Sequence, residues 1–262
     1  MIDGWGREPR RNGLAPAVVL AASIVGLYRW QAGSRDEDAL VVDFGLAPFN
    51  VAQGDYVGLV TYMLLHGSWL HAGANAVFAL LAGYWVARRL GPWALGLVSL
   101  VLFYLVSGVF AGMAYIFLHP GSQTLLIGAS GAVSALIGAA TRLAFSDGVL
   151  RPVLSRTVVS VSAAWVAVNF LIASGASDPT SGAMPVAWEA HVAGFFVGLL
   201  LIGPWAALFS RRPEDHGERA AAVTPYEEMQ VASDADAPPE PTGAELVPSP
   251  GADAKAGHDR VI

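Results

Sequence analysis

Two polar residues in otherwise apolar stretches have the chemistry of a nucleophile and its base. Ser130 lies in the sequence Gly-Ala-Ser-Gly at 128–131, and His191 lies in Ala-His-Val-Ala-Gly at 190–194. Polar and ionisable groups are costly inside membrane-spanning segments, so in such a setting they indicate function by default. A serine hydroxyl attacks a carbonyl carbon well only when a neighbouring base accepts its proton. The pair therefore predicts nucleophilic catalysis, provided that the fold brings the two side chains together.

The composition predicts that both residues lie in a membrane protein. Hydrophobic residues make up 54% of the 262 residues and charged residues 14%, and the mean hydropathy is +0.50. A helix needs roughly 20 apolar residues to cross the hydrocarbon core. We identify six such stretches: 14–31, 69–87, 93–117, 126–146, 157–174 and 185–209.

The arginines predict the orientation of these spans. Ten of them lie before the first span, after the second, around the connection between the fourth and fifth, and after the sixth: Arg7, Arg10, Arg11, Arg88, Arg89, Arg142, Arg151, Arg156, Arg211 and Arg212. In a six-span protein these positions share one side, which the positive-inside rule identifies as cytoplasmic. The opposite side has only Arg29 and Arg35, among acidic residues. Both termini are therefore expected in the cytoplasm. Abundant Ala, Gly and Arg with scarce Lys indicates a bacterial source, so a bacterial inner membrane is expected.

The chain is expected to divide into three parts: a short cytoplasmic segment 1–13, a membrane domain 14–212 and a cytoplasmic tail 213–262. The tail is rich in Asp, Glu, Pro, Ala and Gly, which predicts disorder. It carries eleven acidic residues against three basic ones, so it accounts for the net charge of −6. This acidic balance argues against nucleic-acid binding. The absence of cysteine excludes disulfides and thiol chemistry.

Polar residues from three spans are expected at one depth. Spans two, four and six would run from the outer face to the cytoplasm. The polar residues near their outer ends are His71 and Asn75 in span two, Ser130 in span four and His191 in span six. At about 1.5 Å per residue, each lies within roughly 10 Å of the outer boundary. His71 and Asn75 are four residues apart and share a helix face. Together these positions predict one water-accessible site.

Small residues predict that span four packs closely on span six. Residues spaced by four form one ridge in each span: Ser130, Ser134 and Gly138 in span four, and Ala190, Gly194 and Gly198 in span six. Ridges of this kind let membrane helices approach closely. Their contact would carry the serine toward the histidine.

Three segments together resemble the rhomboid family of intramembrane serine proteases. They are His-Gly-Ser-Trp-Leu-His-Ala-Gly-Ala-Asn at 66–75, Gly-Ala-Ser-Gly at 128–131, and Ala-His-Val-Ala-Gly-Phe-Phe-Val-Gly at 190–198. The resemblance covers roughly residues 50–210. It implies an all-α membrane protein whose six-helix bundle surrounds a water-filled cavity open to the outside. It also implies that Ser130 is the nucleophile and His191 its general base. His71, Asn75 and the Ser130 backbone amide would form the oxyanion hole.

Residues around the site are expected to give structural support: His66, Gly128, Gly131, Gly194 and Gly198. No Asp or Glu is expected beside His191, so the predicted unit is a dyad. Glu189 is expected to be a solvated rim residue and His119 a solvated loop residue. The chain departs from the family pattern at Ser134, where many members have an aromatic ring stacked on the histidine. It also departs at Ala87, where members often have Glu.

These features predict an intramembrane serine endopeptidase that uses no metal or cofactor. Its partners would be the lipid bilayer and single-span membrane proteins, cut near the outer end of their transmembrane segment. Residues that destabilise a helix near the cut should favour cleavage. Substrates are expected to enter laterally past span five, where Trp165 and Asn169 lie. The sequence predicts no oligomeric state.

Three alternative functions stay open at this point. The first is a catalytically silent rhomboid-like protein that binds membrane clients. The second is a metalloprotease or metal transporter that uses His66, His71 and His191, although the chain has no H-E-x-x-H motif. The third is a channel or secondary transporter, although no internal repeat is apparent.

Overall fold

The computed structural model describes residues 13–91, 93–144, 149–176 and 187–209. These residues form nine α-helices and one 3-10 helix (Tyr62–Leu64): α1 (Leu14–Gln31), α2 (Glu37–Phe44), α3 (Pro48–Ala52), α4 (Gly58–Thr61), α5 (Trp69–Arg89), α6 (Trp93–Leu118), α7 (Ser130–Leu143), α8 (Arg156–Ala176) and α9 (Trp188–Phe209). In the same ranges, β-pairing is limited to an isolated antiparallel bridge between Leu46 and Leu126. The all-α fold class is confirmed.

Five helices of the described chain are long and apolar enough to cross a membrane: α1, α5, α6, α8 and α9. They coincide with the first, second, third, fifth and sixth spans predicted from the sequence, and their ends differ by a few residues. The described chain therefore has five helices with the length and composition of membrane spans.

The fourth predicted span, 126–146, forms a shorter helix than expected. α7 has 14 residues, which is about 21 Å and less than the roughly 30 Å of the hydrocarbon core. Gly128 has a φ of +119° and Leu126 pairs with Leu46, so the chain before α7 is not helical. Ser130 is consequently the first residue of α7 and does not lie within a longer helix. The count of six spans stays a prediction.

α7 can be short because other helices surround it. It packs against α5, α6, α8 and α9. Ten of its 14 residues are buried, and most of these are Gly, Ala or Ser. Hydropathy reports how apolar a stretch is, and a helix enclosed by protein can be apolar without the length that lipid requires.

α7 and α9 approach so closely that their contact positions require glycine. A Cβ atom on Gly194 would overlap the carbonyl oxygen of Gly131, and one on Gly198 would overlap that of Ala135. The α9 ridge therefore lies against the backbone of α7 at Gly131 and Ala135, each one residue after a member of the predicted ridge, and Gly138 of that ridge meets the Phe195 carbonyl oxygen.

α7 and α9 also run in the same direction. Near their first turns, Ser130 contacts His191. Farther along both helices, the Arg142 guanidinium donates a hydrogen bond to the Leu199 carbonyl oxygen at 3.1 Å. α5 begins at the same end of the bundle, because its His71 ring lies against the loop that precedes α7. The first turns of three helices therefore meet at one place.

The connection between α1 and α5, which contains α2, α3, α4 and the 3-10 helix, holds the loop before α7. The Tyr62 hydroxyl donates to the Gly108 carbonyl oxygen at 2.8 Å. The Tyr62 carbonyl oxygen accepts from the Gly128 amide at 2.9 Å, and Leu46 and Leu126 exchange backbone hydrogen bonds. These bonds fix the path of the chain immediately before Ser130.

Two predicted parts of the chain lie outside the described residues. They are the N-terminal segment 1–13, apart from Gly13, and the acidic tail 213–262. Their predicted properties stay predictions.

Candidate active site

The structure brings Ser130 and His191 into hydrogen-bond contact. The Ser130 Oγ lies 2.7 Å from the His191 Nε2. Both residues are half-buried at this end of the bundle. The contact joins the first residue of α7 to the first turn of α9. A nucleophile and base at this distance have the geometry that proton transfer requires.

The other nitrogen of the same imidazole contacts a residue on α8. The His191 Nδ1 lies 2.9 Å from the Asn169 Oδ1, and the Asn169 side chain is buried at 3% exposure. The sequence associated Asn169 only with the path by which substrates enter. An amide in an otherwise apolar span, a few residues from its predicted outer end, was the signal that could have connected it with the site.

An aromatic pair lies one helical turn from this contact. Trp165 precedes Asn169 by four residues on α8, and Phe195 follows His191 by four residues on α9. The two rings stack with centroids 5.6 Å apart and an interplanar angle of 17°. Ser134, where family members often have an aromatic, instead donates its hydroxyl to the Ser130 carbonyl oxygen at 2.7 Å. An aromatic stack therefore joins α8 to α9 one turn from the histidine, and Ser134 bonds within its own helix.

His71 on α5 lies against the loop that immediately precedes Ser130, which we call the serine loop. A Cβ atom on Gly128 would be 2.8 Å from the His71 Nε2 and 3.7 Å from the Ser130 Oγ. With its φ of +119°, Gly128 occupies a position that only glycine fills without strain. The Gly67 amide donates to the His71 Nδ1 at 3.5 Å, a long contact that favours the proton on Nε2. That proton then points toward the serine loop.

Asn75 lies one turn below His71 on the same helix. Its side-chain nitrogen donates to the His71 carbonyl oxygen at 2.9 Å, and the residue is buried at 5% exposure. A primary amide has two N–H donors, and this bond uses one of them. The predicted site residues therefore form two hydrogen-bonded pairs, Asn75 with His71 and His191 with Ser130.

His66 supports the serine loop from beneath. Its imidazole is fully buried, and its Nε2 accepts a hydrogen bond from the Ala129 amide at 3.4 Å. Burial, with a smaller contribution from the nearby His71, lowers the pKa of His66 to about 4. The neutral ring can accept this hydrogen bond, and a protonated ring could not.

Gln31 at the end of α1 holds the backbone of His66. This residue was missed in the prediction from sequence, where its only signal was its place at the end of an apolar span. Its side-chain nitrogen donates to the His66 carbonyl oxygen at 2.7 Å and to a Glu37 carboxylate oxygen at 3.0 Å. Its side-chain oxygen accepts from the His66 amide at 3.0 Å. A buried amide with all these bonds satisfied fixes the backbone at His66.

Glu189 and His119 contact each other at the rim of the site. The His119 Nε2 lies 3.4 Å from a Glu189 carboxylate oxygen, and the two side chains are 36% and 19% exposed. The sequence predicted a solvated loop residue and a solvated rim residue; both side chains are partly exposed, and they also contact each other. The contact links the start of α9 to the loop after α6.

In the part of the chain that the structure describes, no three His, Cys, Asp or Glu side chains converge in a way that could hold a metal ion.

Two comparisons with known proteins bear on the family of the chain. No curated protein sequence gives a significant match to the chain. The sequence profile of the Rhomboid domain matches residues 53–206, which include Ser130, His191, His71 and Asn75 and make up more than half of the chain. The family consists largely of intramembrane serine proteases, with some inactive members. The chain is therefore an integral, multi-pass membrane protein and belongs to the rhomboid family.

Proposed function

We propose that this protein is an intramembrane serine endopeptidase. The observation that carries the proposal is the 2.7 Å contact between the Ser130 Oγ and the His191 Nε2. This contact joins two helices whose close approach is set by glycine. A packing role alone would not require a hydroxyl and an imidazole to meet at the end of the bundle.

The reaction would proceed through an acyl-enzyme. The Ser130 Oγ attacks the carbonyl carbon of a peptide bond while its proton moves to the His191 Nε2. Collapse of the tetrahedral intermediate breaks the C–N bond, and His191 returns the proton to the leaving nitrogen. A water molecule then attacks the ester with His191 again accepting a proton, which releases the second product and restores the serine.

Three donors are available to stabilise the oxyanion. The first backbone amides of an α-helix have no intrahelical partners, and Ser130 is the first residue of α7, so its N–H is free to bind the oxyanion. The His71 Nε2 proton points toward the same loop, and Asn75 has a second N–H to donate. Removing one such donor typically lowers the rate by about 100- to 1,000-fold.

The substrate would be a single-span membrane protein cut near the outer end of its transmembrane segment. This follows from the arginine pattern, which assigns the opposite end of α5, α7 and α9 to the cytoplasm. A helical substrate hides its peptide bonds, so cleavage requires local unwinding, and residues that destabilise a helix should promote it.

Substrates would reach the site from the lipid between α5 and α8. A groove between these helices is lined by Phe78 and Leu81 of α5 and by Val161 and Trp165 of α8, and it extends away from the site toward Trp85 and Arg151. α8 is the least enclosed of the candidate spans, with 11% of its apolar window buried against 33% to 44% in the others. A helix with so few buried contacts can move aside at the lowest cost.

The competing function is a silent relative that binds membrane proteins without cutting them. Purified protein in liposomes with a single-span model substrate separates the two. We expect Ser130→Ala and His191→Ala to abolish cleavage and Ser107→Ala, at a buried serine of α6, to retain it. Cleavage by Ser130→Ala or His191→Ala at the wild-type rate would contradict the proposal. A metal chelator should leave the rate unchanged.

A further inference from the structure

Asn169 has one orientation that its surroundings permit. Its side-chain nitrogen donates to the Trp165 carbonyl oxygen at 2.9 Å. A carbonyl oxygen can only accept, so an amide turned the other way would place two acceptors against each other. The Asn169 Oδ1 must therefore be the atom that faces the His191 Nδ1 at 2.9 Å.

This orientation decides where the proton of the imidazole lies. The Asn169 Oδ1 is an acceptor, so the His191 Nδ1 must carry the hydrogen. In the neutral ring the Nε2 is then unprotonated, and it can accept the Ser130 hydroxyl proton across the 2.7 Å contact. The opposite tautomer would present an N–H to the serine and could not act as its base.

We propose that Asn169 is the positioning residue of His191, so that the catalytic unit is a Ser-His-Asn triad spread over α7, α9 and α8. The inference deepens the proposed function and rests on it for its kinetic consequence. Asn169 fixes both the tautomer and the ring plane of His191. A carboxylate could have the same role, but the sequence places no buried carboxylate beside this histidine. It also accepts a charge-assisted hydrogen bond from the imidazolium that forms when the serine loses its proton.

The burial pattern of α8 supports a specific role for this amide. Most side chains of α8 are not covered by the other helices, yet Asn169 is only 3% exposed. A polar side chain on a lipid-facing helix is expected to turn inward and find a partner. Its partner here is the base, and the Trp165–Phe195 stack packs the same pair of helices one turn away.

The test compares three substitutions on α8 in the full-length protein in liposomes. Asn169→Leu removes the acceptor at similar volume. Asn169→Asp keeps an oxygen beside His191. Ser174→Ala is the matched control, because Ser174 also donates to the carbonyl four residues earlier, at 2.8 Å, on an exposed face. Thermal unfolding in detergent identifies any variant that is merely misfolded.

We expect Asn169→Leu to lower kcat by about 10- to 100-fold with little change in KM, the typical effect of losing a hydrogen bond to a charged group. Asn169→Asp should recover much of that loss, and Ser174→Ala should match the wild type. The acid limb of the pH–rate profile should move to higher pH in Asn169→Asp, because a carboxylate favours the protonated ring, and to lower pH in Asn169→Leu. His71, His119 and Glu189 are unchanged in every variant, so they cannot produce opposite displacements.

A second measurement does not depend on activity. The ¹⁵N shifts of the His191 ring in micelles distinguish a proton on Nδ1 from one on Nε2. We expect the Nδ1–H form in the wild type and a mixture in Asn169→Leu. Wild-type kinetics and an unchanged tautomer in Asn169→Leu would overturn the triad. Undiminished cleavage by Ser130→Ala would instead overturn the proposed function and leave the tautomer result standing.

Discussion

Gly194 on α9 lies so close to the Gly131 carbonyl oxygen on α7 that a single methyl group would overlap it. This contact is one residue from Ser130 and three residues from His191. The separation of the two backbones therefore controls the length of the hydrogen bond between nucleophile and base.

Gly194→Ala should push α7 and α9 apart. Overpacking of this kind typically destabilises by about 1–3 kcal/mol, and we expect a lower unfolding temperature in detergent together with a large loss of cleavage. Gly26→Ala on α1 is the control, because a Cβ there has no atom within 4 Å. An active and fully stable Gly194→Ala variant would show that the helices have room that the structure does not display.

Gly128→Ala should remove activity by displacing His71. The added Cβ would lie 2.8 Å from the His71 Nε2, so the ring must leave the serine loop. Gly121→Ala separates this effect from backbone strain, since Gly121 also has a positive φ, +72°, but open space around its Cβ position. We expect Gly121→Ala to cost about 1–2 kcal/mol of stability and to retain its cleavage rate per folded molecule. Equal losses of rate in the two variants would contradict a specific role for the His71 position.

The stability of the protein should fall in mild acid because of His66. Its pKa of about 4 lies below the ordinary value of about 6.5, so the unfolded chain binds more protons between these values. Stability is then lost as the pH falls from about 6.5 toward 4, at up to about 1.4 kcal/mol per unit.

The measurement is the unfolding temperature in detergent from pH 7.5 to 4. His66→Gln keeps an acceptor for the Ala129 amide and cannot titrate, so its curve should be flatter than that of the wild type over this window. If the two curves are parallel, the pH dependence belongs to other groups and His66 does not contribute it.

The sequence was informative where the chemistry is local. The small-residue ridges of α7 and α9, and the polar residues at the ends of three spans, are patterns within single helices. The partners of Asn169 and Gln31 could not be predicted in the same way, because each side chain bonds a residue far away in sequence, His191 and His66. The length of α7 could not be predicted either, since hydropathy does not distinguish a short enclosed helix from a full span.

A reversible crosslink between α5 and α8 should block access to the site. The chain has no cysteine, so Leu81→Cys with Val161→Cys introduces only the two intended thiols, on opposite walls of the groove. A bifunctional thiol reagent that a reductant can remove would then tie the helices together.

We expect cleavage of a single-span substrate to stop on crosslinking and to return on reduction, because α8 must move for a helix to enter. A small fluorophosphonate that reacts with Ser130 should still label the crosslinked protein, which shows that the serine and its base are intact. Full cleavage in the crosslinked state would place the path of substrates elsewhere.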